Sequence, residues 1–320
     1  MKAIVCTKYG SPDVLELRDV PMPEPGDDEV RIRIMAASLG PAACAFRKGE
    51  PFIVKLIYGL KRPKHAILGT ELAGVVDAVG GSVRQFRVGD RVFGLSATTS
   101  GAHAEYKCLP ESRPLVVMPD GMSFAEAAAI CDGTPTALTF LRDKACVRAG
   151  QKVLVNGASG AVGLAAVQLA KHYGAEVTGV CSGANAELVL GCGADFVVDY
   201  AKEDFTRNGQ CYDVIFDAVG KRTYGACKRS LTAYGVYMST VPSMSILFGV
   251  VATVLSKGRK ARFATAGLVQ TKANLEFIKE LYAAGRLKTV IDRSYALEQV
   301  PDAHRYVDTG RKKGNVVIVF

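Results

Sequence analysis

Residues 152–171, KVLVNGASGAVGLAAVQLAK, pass from a β-branched run through a cluster of small residues into an alanine-rich helical pattern. A chain of this kind turns sharply out of a strand and exposes unpaired backbone N–H groups at a helix start, the place where a dinucleotide's pyrophosphate is held. In the G-x-G-x-x-G fingerprint the first position supplies the tight turn, the second lets phosphate approach the backbone, and the third lets helix and strand pack closely. Those positions are Ala158, Gly160 and Gly163 here, with Gly157 one place early. Ala158 is acceptable if the turn keeps its φ negative. A helical pattern with apolar Val162, Ala166, Leu169 and Ala170, then a second strand over residues 176–181, complete a βαβ unit. This context favours a nicotinamide dinucleotide over the alternative, a turn ahead of an ordinary α/β helix.

The end of the second strand bears on which nicotinamide is bound. An NAD site places Asp or Glu there to accept from the adenosine ribose 2′-OH, whereas an NADP site omits the carboxylate that would repel the 2′-phosphate. Residues 181–185 read Cys-Ser-Gly-Ala-Asn, with no acid. Glu187 is assigned to the next helix, where capping by Asn185 and the helix dipole account for it. Ser182, Asn185 and Tyr200, which closes the following strand, offer hydrogen bonds to a phosphate, and no Lys or Arg lies between Lys171 and Lys202. NADP is expected over NAD.

At 320 residues the chain exceeds one ordinary domain, and 49% hydrophobic with 22% charged residues excludes a disordered chain. The first residues run straight into a strand pattern without a signal peptide, so a cytoplasmic protein is expected. The longest apolar stretch, residues 246–255, is too short to span a bilayer and reads as a buried or intersubunit strand or helix. Nine scattered cysteines without a C-x-x-C pair argue against a disulfide framework or a four-cysteine zinc site. The net charge of +9 comes from short clusters at 61–64, 259–260 and 311–313. No aromatic residues interleave with them and no nucleic-acid module is legible, so they read as solvated surface that helps steer an anionic cofactor.

The chain punctuates itself into two parts. Strand patterns at residues 2–6, 14–19, 30–37, 72–79, 91–94, 103–109 and 115–118 are separated by Pro and Gly turns. Ser123 and Glu126 form a capping box that opens a helix. Strands then recur at Val153, Val177, Val197, Val214 and Val236 with helices between, the rhythm of a parallel sheet. Residues 287–320 return to short strands that would rejoin the first part. The expected division is 1–122 completed by 286–320, and 123–285.

With these residues in view, the chain resembles the medium-chain dehydrogenase/reductase superfamily, in its zinc-independent quinone-oxidoreductase-like branch. The resemblance is carried by MKAIVCTKYGSPDVLEL, RPKHAILGTELAGVVDAVG, FRVGDRVFG, GAHAEY, AAAICDGTPTAL, the glycine loop, CSGANAELVLGCGADFVVDY, YDVIFDAVG and AHRYVDTGRKKGNVVI. It implies an α/β fold: a GroES-like β-barrel domain for the substrate, a Rossmann doubly wound parallel-sheet domain for NADP, a cleft between them, and a homodimer joined through residues 236–255. The backbone of Ser159, Gly160, Ala161 and Val162 is expected around the pyrophosphate, with Ser182 and Tyr200 at the adenosine phosphate. By the resemblance, Thr136 faces the nicotinamide, Val219, Gly220, Thr240 and Val241 line the ribose and ring, and Asn315 approaches from the C-terminal strand. Asp217 either joins them or caps the following helix.

Zinc-dependent members of the superfamily need three converging ligands. Their first Cys falls on Gly40, the nearby His on Ala45, and the His of GHE on Thr70; Cys131 and Glu71 are partial matches. No catalytic zinc is expected. Residues 39–49 keep the branch's proline and Arg-Lys-Gly ending but lose its polar groups, leaving a small apolar pocket floor that suits a hydrophobic carbonyl or quinone ring. Tyr58, within the insertion 51–65, is the candidate hydrogen-bond donor to a substrate oxygen, with packing as its alternative; His65 and His103 are weaker candidates. The expected activity is NADPH-dependent hydride transfer to a quinone, enone or other α,β-unsaturated carbonyl without zinc. The alternatives are a zinc-independent NADP-dependent alcohol/ketone oxidoreductase and a low-turnover NADPH-binding regulator.

Overall fold

The computed structural model describes residues 1–266 and 270–320. In chain order, the strands β1 (Lys2–Cys6), β2 (Leu15–Asp19) and β3 (Glu29–Ser38) are followed by helices α1 (Pro41–Lys48) and α2 (Phe52–Tyr58). Strands β4 (Glu71–Val79), β5 (Arg91–Leu95), β6 (Tyr106–Pro110) and β7 (Leu115–Val117) lead into helix α3 (Phe124–Leu138). Then come β8 (Lys152–Asn156), α4 (Ala161–His172), β9 (Glu176–Cys181), α5 (Ala186–Gly191), β10 (Phe196–Asp199), β11 (Tyr212–Asp217), α6 (Tyr224–Cys227), β12 (Leu231–Ser239), α7 (Met244–Thr253) and β13 (Lys260–Arg262). The chain closes with α8 (Lys272–Ala283), β14 (Ile291–Ala296), α9 (Val300–Asp308) and β15 (Asn315–Val319).

Two compact units divide these elements. One comprises Met1–Asp132, Gln270–Ala283 and Thr289–Phe320, the other Gly133–Val269 and Ala284–Lys288. The division differs from the expected one at α3, which runs across it, and at α8, which joins the first unit. Helix α8 packs beside β7, buries Leu275, Ile278 and Leu281, and sets the Lys272 ammonium over the Phe86 ring. That tertiary packing has no signal in local periodicity.

The first unit is β-rich. Its main sheet runs β14-β15-β3-β4-β5-β7, with β6 also on β3, and β1 pairs with β2. In β3, Val30, Ile32, Ile34 and Ala36 are buried at a period of two, as one face of a strand must be when it covers a core. The core gathers Ile4, Leu72, Val76, Leu109, Val316 and Ile318 around them. Ser123 and Glu126 form the expected capping box, Ser123 N–H donating to Glu126 at 3.0 Å and Glu126 N–H to Ser123 Oγ at 3.3 Å.

The second unit is a six-stranded, wholly parallel sheet ordered β10-β9-β8-β11-β12-β13. The order runs outward in both directions from β8 and β11, which makes the C-terminal ends of these two strands the switch point where α/β sheets bind ligands. Val153, Leu154 and Val155 of β8 are fully buried, the continuous apolar run that a strand covered on both faces requires. Helix α4 is buried nearly all round, from Leu164 to Ala170, and only Val162 of the expected apolar positions is half exposed. Even Gln168 is inside, its amide accepting from Lys288 N–H at 2.7 Å and donating to Lys288 O at 3.1 Å. Residues 246–255, read from the sequence as strand or helix, form most of α7 and the turn after it.

Candidate functional site

The glycine loop takes its tight turn at Gly157, whose φ is +80°, and Ala158 keeps a negative φ. Gly157 and Ala158 N–H both donate to Val180 O at 3.0 Å, so the loop is sewn to β9 before the helix begins. Gly163 faces back on this turn: a Cβ there would lie 2.1 Å from Gly157 O and 2.7 Å from Ala158 Cα. Gly160 is different, since its Cβ would meet nothing closer than Gly157 O at 3.6 Å. The open side of the loop is therefore at Gly160, and the close packing is at Gly163.

The amide groups refine the sequence expectation. Gly160 N–H donates to Gly157 O at 3.2 Å, so it is already used within the turn. The N–H groups of Ser159, Ala161, Val162 and Gly163 have no acceptor among the described residues. Four amides at the start of one helix, beside a position without a side chain, form an anion cradle.

Three loops converge on it. A Cβ on Gly157 would touch Val219 Cγ1 at 2.5 Å, and one on Gly220, whose φ is +66°, would touch Val241 Cβ at 2.5 Å. The ends of the adjacent strands β8, β11 and β12 thus bring Gly157, Val219, Gly220 and Val241 together. Asp217 organises this convergence. Fully buried at the end of β11, it accepts from Val219 N–H at 3.1 Å, Gly220 N–H at 2.9 Å, Arg222 N–H at 2.9 Å, Asn156 Nδ2 at 2.9 Å and Tyr237 OH at 3.2 Å. It caps a loop, and the following helix α6 is capped by Thr223 instead. Thr240 is fixed by its hydroxyl on Ala218 O at 3.1 Å. On α3, the absent side chain of Gly133 lets the helix lie against Ala161 and Val162 backbone, and half-buried Thr136 sits three residues further along.

At the end of β9, Asn185 makes no side-chain cap on α5, contrary to expectation. It turns the other way, donating from Nδ2 to Ser159 Oγ at 3.1 Å, and its Oδ1 is buried without a partner. Ser182 is half-buried and Tyr200 is 62% exposed. A carboxylate that sequence reading missed stands here too. Register pairs Asp199 with Cys181, and a Cβ on Gly183 would lie 2.6 Å from Asp199 Oδ2. A carboxylate of the neighbouring strand thus lies beside the end of β9.

The remaining candidates lie in the first unit. Tyr58 is buried, its ring 4.2 Å from that of Phe46, and its hydroxyl has no partner. Burial, then the nearby Glu71 carboxyl, push the phenol upward. Asn315 donates to Val290 O at 3.0 Å and keeps a buried, unpartnered Oδ1. His103 is fully buried against Gly69, its Nε2 3.3 Å from Ser38 O, and burial brings its pKa down to about 4, a packed neutral imidazole. His65 is half-buried and shifted down by burial.

The corner where metal-dependent relatives keep zinc has other chemistry. Gly40 has no donor, and a Cβ there would lie 2.6 Å from Asp132 Oδ1. The Thr70 hydroxyl donates to Glu71 at 2.6 Å, and Ser38 Oγ donates to the other Glu71 oxygen at 3.0 Å. Burial, then Asp132, raise Glu71 to about 7. Asp132 Oδ2 is buried without a hydrogen-bond partner among the described residues and lies 3.9 Å from Lys312 Nζ. Cys131 is buried, which pushes its thiol well up and away from the thiolate a metal needs. Among the described residues no group of three or more His, Cys, Asp and Glu has a metal-holding arrangement, and this donor set does not fit tetrahedral zinc. All nine cysteines are free. Among the described residues no helix is long and apolar enough to cross a membrane.

Comparison with known proteins gives this geometry its setting. The model of the alcohol dehydrogenase GroES-like domain matches residues 26–120, and that of the zinc-binding dehydrogenases matches residues 192–318. The chain is 32% identical over 332 residues to a quinone oxidoreductase of Pseudomonas aeruginosa, covering 99% of both. It is 31% identical over 334 residues to an NADPH-dependent alkenal/one oxidoreductase of Arabidopsis thaliana, covering 99% of this chain and 79% of the relative. The solved quinone oxidoreductase from Coxiella burnetii superposes with a TM-score of 0.90 at 28% identity, covering 100% of this chain and 99% of the other. The first unit is thus the GroES-like domain and the second the Rossmann domain. The chain is an oxidoreductase and belongs to the medium-chain dehydrogenase/reductase superfamily, in its quinone-oxidoreductase-like branch.

Proposed function

We propose that this oxidoreductase uses NADPH to reduce quinones, enones and other α,β-unsaturated carbonyls, without zinc. The observation that carries the reading is the cradle at the switch point: four unbonded amides beside the open face of Gly160, under the converging Val219 and Val241 loops. The residues fit a dinucleotide. The amides of Ser159, Ala161, Val162 and Gly163 would hold the pyrophosphate, Ser182, Asn185 and Tyr200 the adenosine end, and Thr136, Val219, Gly220, Thr240 and Val241 the ribose and ring. When bound, the reduced nicotinamide supplies a hydride from its C4 to an electron-poor carbon. Asp217 holds the Val219–Gly220 loop in the shape that accepts the ring, and the half-exposed Val219 and Val241 exclude water from it. Conjugated acceptors spread the arriving charge onto an oxygen, so a single donor is enough, and the unpartnered Tyr58 hydroxyl supports that role. The names of the relatives above support the substrate class.

The test is oxidation of NADPH and of NADH with a panel of quinones, 2-alkenals, cyclic enones and aldehydes, with and without chelator. Turnover of quinones or enones with NADPH, indifferent to chelator, is the expected result; loss of activity on chelation overturns the zinc-free reading. Asp199 favours a second reading, NADH, because its carboxylate faces the end of β9, and the NADPH to NADH ratio decides between them. A homodimer joined through residues 236–255 belongs to the same proposal, supported by the exposed apolar side chains of Leu247, Phe248 and Val251 on α7; the mass of the protein in solution tests it.

A further inference from the structure

A cavity of about 470 Å³ opens in the second unit, walled by the last turn of α4, the turn after α5 and the segment 285–288. Its size is that of a small-molecule site. It lies at the C-terminal end of α4, whereas the amide cradle lies at the N-terminal end, and twelve residues of helix put about 18 Å between the two. Lys171, Arg286 and Lys288 line it, and none of the described residues that line it is acidic.

The three cations are not equivalent. A cation in the last turn of a helix ordinarily answers the dipole, and Lys171 is also held by Asp195, its Nζ 2.8 Å from each carboxylate oxygen. Arg286 and Lys288 belong to neither helix, and their exposed side chains have no hydrogen bond or ion pair among the described residues. The carbonyls that could take them are already used. Leu169, Ala170 and Lys171 O accept from the turn that closes α4, and Leu188, Val189 and Leu190 O from the turn that closes α5, at 2.8 to 3.3 Å. Two full charges therefore face the cavity without a counter-charge, and the groups beside them register it. Burial, then Arg286, push the His172 imidazole down, and Lys288 opposes the burial that raises the Cys192 thiol. The backbone that carries the charges is fixed. Gln168, buried in an otherwise apolar helix, accepts from Lys288 N–H at 2.7 Å and donates to Lys288 O at 3.1 Å. Gly191 and Gly285 leave two sides of the cavity bare, since a Cβ on either would meet nothing within 4 Å.

We propose that this cavity is a second anion site, which takes a small molecule carrying a phosphoryl group. The planar Arg286 fork meets two phosphate oxygens, and Lys288 supplies a point charge to the third. Two uncompensated cations match a dianion, which a phosphoryl group provides and a single carboxylate does not. Inorganic oligophosphate and the phosphate monoester of a metabolite share this chemistry, and the cavity has room for either. The proposal is independent of the reductase reading, since its readout needs neither hydride transfer nor occupation of the glycine loop.

The test is isothermal titration calorimetry of the full chain with inorganic pyrophosphate, glycerol phosphate and acetate. Binding of a phosphate probe is expected, with acetate at least about tenfold weaker. Arg286→Gln with Lys288→Gln weakens it about tenfold or more at an unchanged thermal midpoint. Gly191→Leu fills the space without changing the charge and weakens it as well, which a diffuse surface attraction would not show. Gly160→Ala, which obstructs the cradle, leaves this binding intact, so the two anion sites are read separately. Pyrophosphate bound more tightly than glycerol phosphate supports an inorganic oligophosphate as the occupant, and the reverse order supports a phosphate monoester. Absence of binding of both phosphates by the native chain overturns the proposal. So does undiminished binding in the double Gln variant or in Gly191→Leu, or acetate bound as tightly as phosphate, and binding lost only in Gly160→Ala assigns the anion to the cradle and overturns it too.

Discussion

Two alanine substitutions, one turn apart in the same loop, separate folding from ligand approach. In Gly163→Ala the new methyl would sit 2.1 Å from Gly157 O, whereas ordinary contact begins at 3.4 Å, so α4 has to retreat from the turn by more than an ångström. Overpacking of this kind costs about 3 kcal/mol, and alanine's better helix propensity returns about 1 kcal/mol. The balance of about 2 kcal/mol lowers the thermal midpoint by about 5 °C. In Gly160→Ala the methyl meets only Gly157 O at 3.6 Å, and the residue's φ of −82° and ψ of 172° suit any amino acid. Its stability changes by no more than about 1 kcal/mol, the cost of a poorer N-cap.

The order reverses for the cofactor. The Gly160 methyl projects where a phosphate has to approach the unbonded amides, so NADPH affinity falls at least tenfold, about 1.4 kcal/mol. Gly163→Ala that remains folded loses less affinity than stability. Circular-dichroism melts and titration of NADPH fluorescence measure the two quantities on the same samples. A Gly160→Ala protein with native affinity for NADPH refutes the placement of the pyrophosphate, and a Gly163→Ala protein with a native midpoint refutes the packing argument.

Three further outcomes are expected. Asp199→Asn removes a carboxylate beside Gly183 and raises the NADPH to NADH affinity ratio roughly tenfold, read from paired titrations; an unchanged ratio contradicts the placement of the adenosine end beside Asp199. Asp217→Ala leaves Val219, Gly220 and Arg222 N–H, Asn156 and Tyr237 without their acceptor, which costs about 3 kcal/mol or more, and chemical denaturation showing a loss under 1 kcal/mol contradicts the organising role. Glu71 and His103 act oppositely on stability. Glu71 is raised to about 7, so the folded chain keeps a proton that the unfolded chain loses, and stability declines as pH rises from the ordinary glutamate range towards about 7. His103 is lowered to about 4, so its contribution is complete above the ordinary histidine pKa and is lost as pH falls from there through about 4. The two slopes offset one another in the native chain, and Glu71→Gln exposes a rise in urea midpoint with pH across the acid range; a midpoint flat in the variant contradicts the assignment.

Much of the fold was legible because its signals are local. The two-residue alternation of β3, the fully apolar β8 and the Ser123–Glu126 capping box are each set by a few neighbouring residues, and the structure has them where the sequence indicates. The glycine fingerprint was legible for the same reason, down to the negative φ of Ala158. What escaped depends on register and on packing between distant segments. Asp199 reaches the end of β9 only through the parallel pairing that sets it beside Cys181, and no local pattern encodes that pairing. Asn185 looks like a helix cap until Ser159 Oγ offers it a partner twenty-six residues away. Residues 246–255 are apolar at every face, so periodicity had nothing with which to separate a buried helix from an exposed one.

In the first unit the positions that hold the ligands in zinc-dependent members of the superfamily carry residues of another kind. A divalent cation neutralises the carboxylates around it, and substituting Gly40 and Thr70 for two of its ligands removes both the charge and the means of holding it. Asp132 comes so near Gly40 that even a methyl on that residue would collide with its carboxylate. Glu71 lies buried beside a second acid, and it is accommodated by two hydroxyl donors and by keeping its proton to about neutral pH, while Lys312 Nζ lies 3.9 Å from Asp132. A Cys at position 40 would meet the Asp132 carboxylate, and a His at position 70 would remove the hydroxyl that donates to Glu71, so the proposal of zinc-free chemistry rests on the residues that fill the corner and not only on those that are missing from it.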